Sequence, residues 1–175
     1  MTRLGLGDEP GILVDDREIR RGGLSYMVDT LADLRREVGA EEPLVLVVGA
    51  DAFNGLASWH RWLEIPRLAH IMVLERPGWS ISDQSQLREL LTKRQVASVQ
   101  DLSRQPAGFI LLAAFSRLDI SSSGIRATIE AGRSPRFLLP DPVWRHIQTH
   151  QLYVREPASE PAPSFVQTST PSGGG

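Results

Sequence analysis

The sequence predicts an α/β fold, a mostly parallel sheet with flanking helices. Two observations carry that expectation. Three short aliphatic runs, Leu44–Val48, His70–Leu74 and Gly108–Phe115, have the composition of strands covered on both faces. Segments with helical spacing lie between and after them, so strands and helices alternate.

Taken in order, Ile12–Arg20 is expected as a strand leaving the core, apolar at first and then charged. Ser25–Val38 is expected as a helix, with Met27, Leu31, Leu34 and Val38 along one face and Gly39 just past its end. Leu44–Val48 is a run of consecutive aliphatics, and His70–Leu74 is a second strand, stopped by Pro77-Gly78. Ser82–Lys93 reads as a helix, whereas Val96–Leu102 reads equally as strand or loop. Gly108–Phe115 is the third buried strand, and Ser123–Ala131 a short helix stopped by Gly132. Asp141-Pro142 opens the last helix, with Asp141 as its N-cap, running to His150. The final stretch, Glu156–Gly175, carries four prolines, many hydroxyl residues, a terminal glycine run and the single aromatic Phe165. It has too little apolar surface to offset its ordering entropy, so a disordered tail is expected, with 1–155 as the folded domain.

Composition sets outer limits. The chain has 175 residues, 41% of them hydrophobic and 23% charged, with a formal net charge of −2. That profile fits a soluble globular domain. The absence of cysteine excludes disulfides, thiolate zinc sites and cysteine nucleophiles. No apolar run approaches the ~20 residues of a membrane span, and residues 1–15 lack a signal-peptide core, so a cytoplasmic protein is expected. The near-neutral balance argues against a nucleic-acid partner.

Four stretches could carry chemistry. In Ser121-Ser122-Ser123-Gly124-Ile125-Arg126, three hydroxyls sit where a helix begins after a buried strand. Free backbone N–H groups, the helix dipole and a planar guanidinium there suit an anion, although an ordinary N-cap explains the serines equally simply. Val48-Gly49-Ala50-Asp51 ends a buried strand with a glycine and an acid, where α/β sheets place ligands; Asp51 fits ribose hydroxyls or a plain helix cap. Trp59 and Trp62 are three apart, as on one helix face, which favours core packing over stacking on a flat heterocycle. Finally, Gly22-Gly23-Leu24-Ser25-Tyr26 is a glycine turn into a helix start, able to hold an anion or merely to connect. The four histidines, among them the His146/His150 pair, lack the spacing of a metal site.

In this order the stretches resemble bacterial nicotinate-nucleotide adenylyltransferases. The matching pieces are Asp15-Asp16-Arg17-Glu18-Ile19-Arg20-Arg21, Ser25-Tyr26 with Thr30-Leu31, Val48-Gly49-Ala50-Asp51, Ser58-Trp59, Arg76-Pro77-Gly78, Ile120–Arg126, and Leu138-Leu139-Pro140 with Val143. The resemblance implies a Rossmann-like nucleotidylyltransferase fold and transfer of the adenylyl group of ATP, carried with Mg²⁺, to nicotinate mononucleotide. It also implies roles: Ser121, Ser122, Ser123 and Arg126 for the triphosphate, chiefly its outer phosphates, with Arg126 as the catalytic residue of this chain, and Gly49 and Asp51 for the adenosine ribose. Trp59 would stack on the pyridine ring, the Ser25–Tyr26–Met27 backbone would hold the nicotinate carboxylate, and Arg76 would line the same pocket. Met27 stands where the family more often has Thr.

One part of the pattern is missing from these residues. The family opens with a strand, a G-G-T/S-F-D-P-x-H-x-G-H loop and a helix, then a second strand and helix, and no H-x-G-H occurs in this chain. The resemblance therefore implies a longer natural N-terminus, with Met1 internal and the first two βα units lying ahead of it. It also implies an exposed edge on Leu44–Val48 and activity that requires the histidine loop. Two alternatives stay open: another adenylyltransferase of the superfamily, such as the pantetheine-phosphate type, and a non-catalytic nucleotide-binding remnant.

Overall fold

The computed structural model describes residues 1–75, 85–114 and 120–154. Its helices are α1 (Thr2–Leu6), α2 (Arg17–Arg21), α3 (Met27–Val38), α4 (Ala50–Asn54), α5 (Ile65–Leu68), α6 (Ser85–Arg94), α7 (Ser122–Glu130) and α8 (Asp141–Thr149). Its strands are β1 (Val45–Gly49), β2 (His70–Glu75), β3 (Gln95–Val96) and β4 (Ile110–Ala114). The described residues fall into two compact units, one within Leu13–Asp119 and one within Met1–Ile12 and Ile120–Gly175.

The unit spanning 13–119 is built on a sheet of order β1-β2-β4-β3, parallel at every pairing. The α/β class expected from the sequence is the one observed. Ile71 and Val73 of β2 and Ile110 of β4 are fully buried with Val28 and Leu31 of α3, Phe53 of α4 and Leu87 of α6. Side chains of this size contribute roughly 1.5–3 kcal/mol each on burial. His70 at the start of β2 is also fully buried. Its Nε2 lies 2.8 Å from the Gln105 carbonyl and its Nδ1 accepts from the Phe109 N–H at 3.0 Å, so both ring nitrogens are satisfied.

Several elements differ from the sequence expectation. Ile12–Arg20 is not a strand: residues 12–16 have no regular structure, Leu13 is 89% exposed, and α2 follows. A strand needs a neighbour for its ladder, and no described strand pairs with this segment. Its charged residues bond to α3 instead. Arg17 Nη2 reaches Glu37 at 2.9 Å, Arg21 reaches Asp33 at 2.5 Å, and Thr30 donates to Glu18 at 2.6 Å. β1 is not covered on both faces by described residues, because Val48 is buried while Val47 is 53% exposed. It also ends the sheet, so its outer edge meets no described strand. The ambiguous Val96–Leu102 divides between β3 and a 3-10 turn, Val99–Arg104, begun by a capping box between Ser98 and Asp101. The Ser98 hydroxyl, donating to Asp101, holds that carboxyl below its usual range. At the last helix the N-cap is Pro140, with the extended backbone of a cap, and Asp141 already lies inside the first turn. The expected tail 156–175, and the ends of two expected elements at 82–84 and Phe115, lie outside the described residues.

In the second unit, α1 packs on α8, where a Cβ at Gly5 would lie 3.5 Å from Val143 Cγ2, and Ile129, Pro135 and Ile147 are buried. Partial burial, then the neighbouring His150 and the N-terminal amine, hold His146 below its ordinary pKa. The unfolded chain then binds the proton more readily than the folded one, so His146 stabilises above about pH 6.5 and loses that contribution as pH falls. Thermal unfolding between pH 7.5 and 5.5 should show a downward shift that His146→Gln reduces.

The half-buried Arg35 on α3 clasps four backbone carbonyls. Nε and Nη2 donate to Leu68 O at 3.1 and 2.7 Å, Nη2 also to Pro106 O at 2.8 Å, and Nη1 to Gly39 O and Glu42 O at 3.1 and 2.5 Å. Hydrogen bonds from a charged donor are individually worth more than neutral ones, and truncation takes both donors from the part-buried Leu68 carbonyl, while Pro106 O keeps the Leu44 N–H at 3.1 Å. Arg35→Ala should cost roughly 2–4 kcal/mol in urea unfolding, and Arg35→Lys should recover little because an ammonium lacks the planar fork. A loss within experimental error would show that the clasp is dispensable.

Candidate functional site

Within the 13–119 unit, the start of α3 and the turn after α4 border one cavity. Its volume is about 390 Å³, and it is lined by Glu18, Ser25, Tyr26, Met27, Ser58, Trp59 and His60. Tyr26 is the N-cap of α3 with extended backbone and no side-chain cap, so helix N–H groups begin at the cavity. Residues 55–64 reach it through two 3-10 turns, Leu56–Ser58 and Trp62–Glu64. Trp59 and Trp62 therefore do not share a helix face. Both are partly buried against the core, and Trp59 also lines the cavity, so packing and exposure to the cavity coexist in one ring.

The turn is held by ions. Arg61 sits at φ 51°, a left-handed conformation uncommon for a side-chain-bearing residue. It grips Glu64 through two bonds, Nε to Oε1 at 2.9 Å and Nη2 to Oε2 at 2.6 Å, and reaches Asp29 of α3 at 3.4 Å. The Arg61 bonds hold the Glu64 carboxyl below its usual range. The ring of His60 stacks on Tyr26, with centroids 4.2 Å apart and planes inclined by 30°. The structure thus brings Ser25, Tyr26, Met27 and Trp59 together, as the resemblance implies. It adds three lining residues that received no role from the sequence: Glu18, Ser58 and His60. His60 was weighed only as a metal ligand; its position beside Trp59 was the available signal.

At the end of β1, Gly49 is the N-cap of α4 and Asp51 lies exposed in its first turn. Asp51 is therefore not the cap. Gly49 has φ −74°, which any residue adopts, and a Cβ there would meet no described atom within 4 Å. Neither backbone conformation nor packing among the described residues demands glycine. What glycine leaves is open space beyond a strand end.

The other unit carries the serine turn. Ser121 is the N-cap of α7, its hydroxyl accepting from the Gly124 N–H at 3.0 Å. Ser122, Ser123 and Arg126 are exposed, with Arg126 Nη2 3.5 Å from Ser123 Oγ. The cap and an anion-ready helix start are both present. Arg76 lies outside the described residues.

Two larger cavities fit the chemistry less well. One of about 650 Å³, among Ala127, Glu130, Ala131, Tyr153 and Val154, offers a carboxylate and no cation. The other, about 540 Å³, is lined by Arg17, Arg20, Arg21 and Arg36 with Asp33 and Glu37, and its guanidiniums are already in ion pairs. Among the described residues no group of three or more His, Asp or Glu side chains is placed to hold a metal ion. No described helix is long and apolar enough to cross a membrane.

Comparison with known proteins places these features in a family. A protein of Hahella chejuensis named "Probable nicotinate-nucleotide adenylyltransferase" is 52% identical over 153 residues, covering 87% of this chain and 70% of that one. Proteins of the same name from Marinobacter nauticus and Cellvibrio japonicus are each 46% identical, covering 90% and 87% of this chain and 73% and 72% of theirs. The chain belongs to the nicotinate-nucleotide adenylyltransferase family. No protein-family model matches it. The nicotinic acid mononucleotide adenylyltransferase of Plasmodium falciparum, solved in complex with APC, aligns with a TM-score of 0.50 at 15% identity. That alignment covers 75% of this chain and 60% of the other, so this chain spans about three fifths of that structure. At such identity the likeness shows the fold alone, and it agrees with the Rossmann-like nucleotidylyltransferase architecture. For this family member, the pieces that carried the resemblance lie on two units: the Tyr26–Trp59 cavity and Gly49–Asp51 on one, the serine turn on the other.

Proposed function

We propose that the chain serves transfer of the adenylyl group of ATP to nicotinate mononucleotide, yielding nicotinate adenine dinucleotide and pyrophosphate. The observation that carries this reading is the cavity where Trp59 and the α3 N-terminus meet. It offers a flat aromatic face beside backbone N–H donors, a combination suited to a pyridine ring bearing a carboxylate. Family membership supports the same assignment, and it disfavours the pantetheine-phosphate alternative.

The reaction is an in-line displacement. A phosphate oxygen of nicotinate mononucleotide bonds to the α-phosphorus of ATP as the bond from that phosphorus to the bridging oxygen breaks, and pyrophosphate leaves with the electron pair. Positioning and charge stabilisation supply most of the rate enhancement in such transfers. In this reading Ser121, Ser122, Ser123 and Arg126 hold the triphosphate at the α7 N-terminus, where dipole, hydroxyls and guanidinium act together. The open strand end at Gly49 admits the ribose, and Asp51 accepts from its hydroxyls. The Ser25–Met27 backbone holds the carboxylate and Trp59 the ring face, while Arg76 contributes to the same pocket. The divalent cation, Mg²⁺ in this reading, arrives with ATP as part of that substrate.

Pyrophosphate release with Mg-ATP and nicotinate mononucleotide tests the proposal, on this chain and on the chain preceded by an H-x-G-H-bearing segment. Release in neither form overturns adenylyl transfer. ATP binding without release in either form would favour the non-catalytic reading. In the active form, Arg126→Ala should raise KM for ATP and lower kcat, together costing about 10–100-fold in kcat/KM. Unchanged kinetics would remove the phosphate role. Trp59→Ala should weaken nicotinate mononucleotide about tenfold more than ATP; equal losses would assign Trp59 to core packing.

A further inference from the structure

We propose that Asn54 is a site of spontaneous deamidation that the last turn of α4 holds in check. Asn54 is the single asparagine of the chain, and Gly55 follows it. Asparagine is chemically labile because the backbone nitrogen of the next residue can attack its side-chain carbonyl. Glycine in that position has no Cβ and leaves the nitrogen unshielded. In the reaction the deprotonated Gly55 nitrogen bonds to Asn54 Cγ, and the bond from Cγ to the amide nitrogen breaks, releasing ammonia. Water then opens the five-membered imide at either carbonyl, leaving aspartate or isoaspartate. Water is the one co-reactant.

The fold restrains this pair without sealing it. Asn54 and Gly55 are half-buried, between the buried Phe53 and Leu56. The Gly55 N–H donates to the Asp51 carbonyl at 3.1 Å, and a nitrogen engaged in that way keeps its proton. Attack therefore requires the bond to open. Because α4 is only five residues long, its end opens at little cost. Nor does the backbone demand glycine. Gly55 has φ −86°, which any residue adopts, and a Cβ there would meet Ala52 O and Asp51 O at 3.6 and 3.7 Å, ordinary contacts. The lability can thus be removed while the fold is kept. The products are not neutral for that fold. Isoaspartate adds a methylene to the main chain and a carboxylate at the C-terminal end of α4, where the helix dipole disfavours it. Just beyond, the Gly55 carbonyl accepts from the Ser58 N–H at 3.0 Å and the Ser58 hydroxyl at 2.7 Å. Deamidation therefore disturbs the turn that brings Ser58 and Trp59 to the cavity.

The experiment ages the full 175-residue chain at mildly alkaline pH, folded and in urea, and follows it by peptide mass spectrometry and an isoaspartate assay. The peptide holding Asn54 should gain the mass of an amide turned acid, with isoaspartate present, about tenfold more slowly in the folded chain than in urea. Asn54→Gln and Gly55→Ala should each slow the gain about tenfold or more in both states. Aged wild type should melt about 2–4 °C below the fresh chain, and aged Gly55→Ala should not. No gain in the folded chain over about a hundred urea half-times would overturn the site. Equal rates folded and in urea would overturn the restraint by α4. A gain in Gly55→Ala as fast as in wild type would overturn attack by the Gly55 nitrogen. Unchanged melting after full conversion would overturn the effect on the turn.

Discussion

The unit that carries the Tyr26–Trp59 cavity depends on the clasp of Arg35. The strands of a parallel sheet must be joined by long connections, and their incoming loops carry carbonyls that no strand ladder satisfies. Arg35 gathers four of these, at Gly39, Glu42, Leu68 and Pro106, which belong to the approaches to β1, β2 and β4. One planar fork therefore ties the C-terminal half of α3 to the N-terminal edge of three strands. Because α3 is a single rigid helix, fixing that half also fixes the other end, where Tyr26 and Met27 meet the cavity.

What the clasp does at one end, ion pairs and hydrogen bonds do at the other. α2 has no buried residue, so hydrophobic burial cannot hold it. It is held through Arg17, Glu18 and Arg21 to Glu37, Thr30 and Asp33, and Glu18 thereby reaches the cavity wall. Arg61 fastens the opposite wall to α3. Exposed pairs of this kind contribute little each, typically under 1 kcal/mol, and are screened by salt. The cavity is accordingly built on a firm helix with two walls set by weak polar contacts.

Much of this was legible in the sequence, for reasons that differ by element. β1, β2 and β4 were readable because aliphatic runs bounded by turn residues have few alternatives, and α3 because its apolar spacing and Gly39 agree. Ile12–Arg20 was misread since a strand is a property of a pair, and one segment's composition does not reveal whether a neighbour exists. The tryptophans pack against the core as their spacing suggested, but not on one helix face: spacing of three implies a helix only if a helix is there, and Arg61 in the left-handed region interrupts it. Of the site, the resemblance assigned Ser25, Tyr26, Met27 and Trp59, which do share a cavity. His60 stayed hidden as a lining residue because its place depends on stacking against Tyr26, a contact between residues far apart in sequence.

Shifted protonation is often a guide to active sites, but here it points elsewhere. Asp15 is held below its usual range first by the Arg17 backbone N–H, Glu64 and Glu89 by hydrogen bonds from Arg61 and Lys93, and Asp101 by the Ser98 hydroxyl of a helix cap. These are devices of local structure. In-line adenylyl transfer explains why that guide fails: the attacking phosphate already carries its charge, so no protein base has to be tuned to create a nucleophile. Such a reaction asks for donors, flat surfaces and open approaches, and these leave their trace in geometry. The open space beyond Gly49 and the capped serine turn at Ser121 are features of geometry rather than of titration.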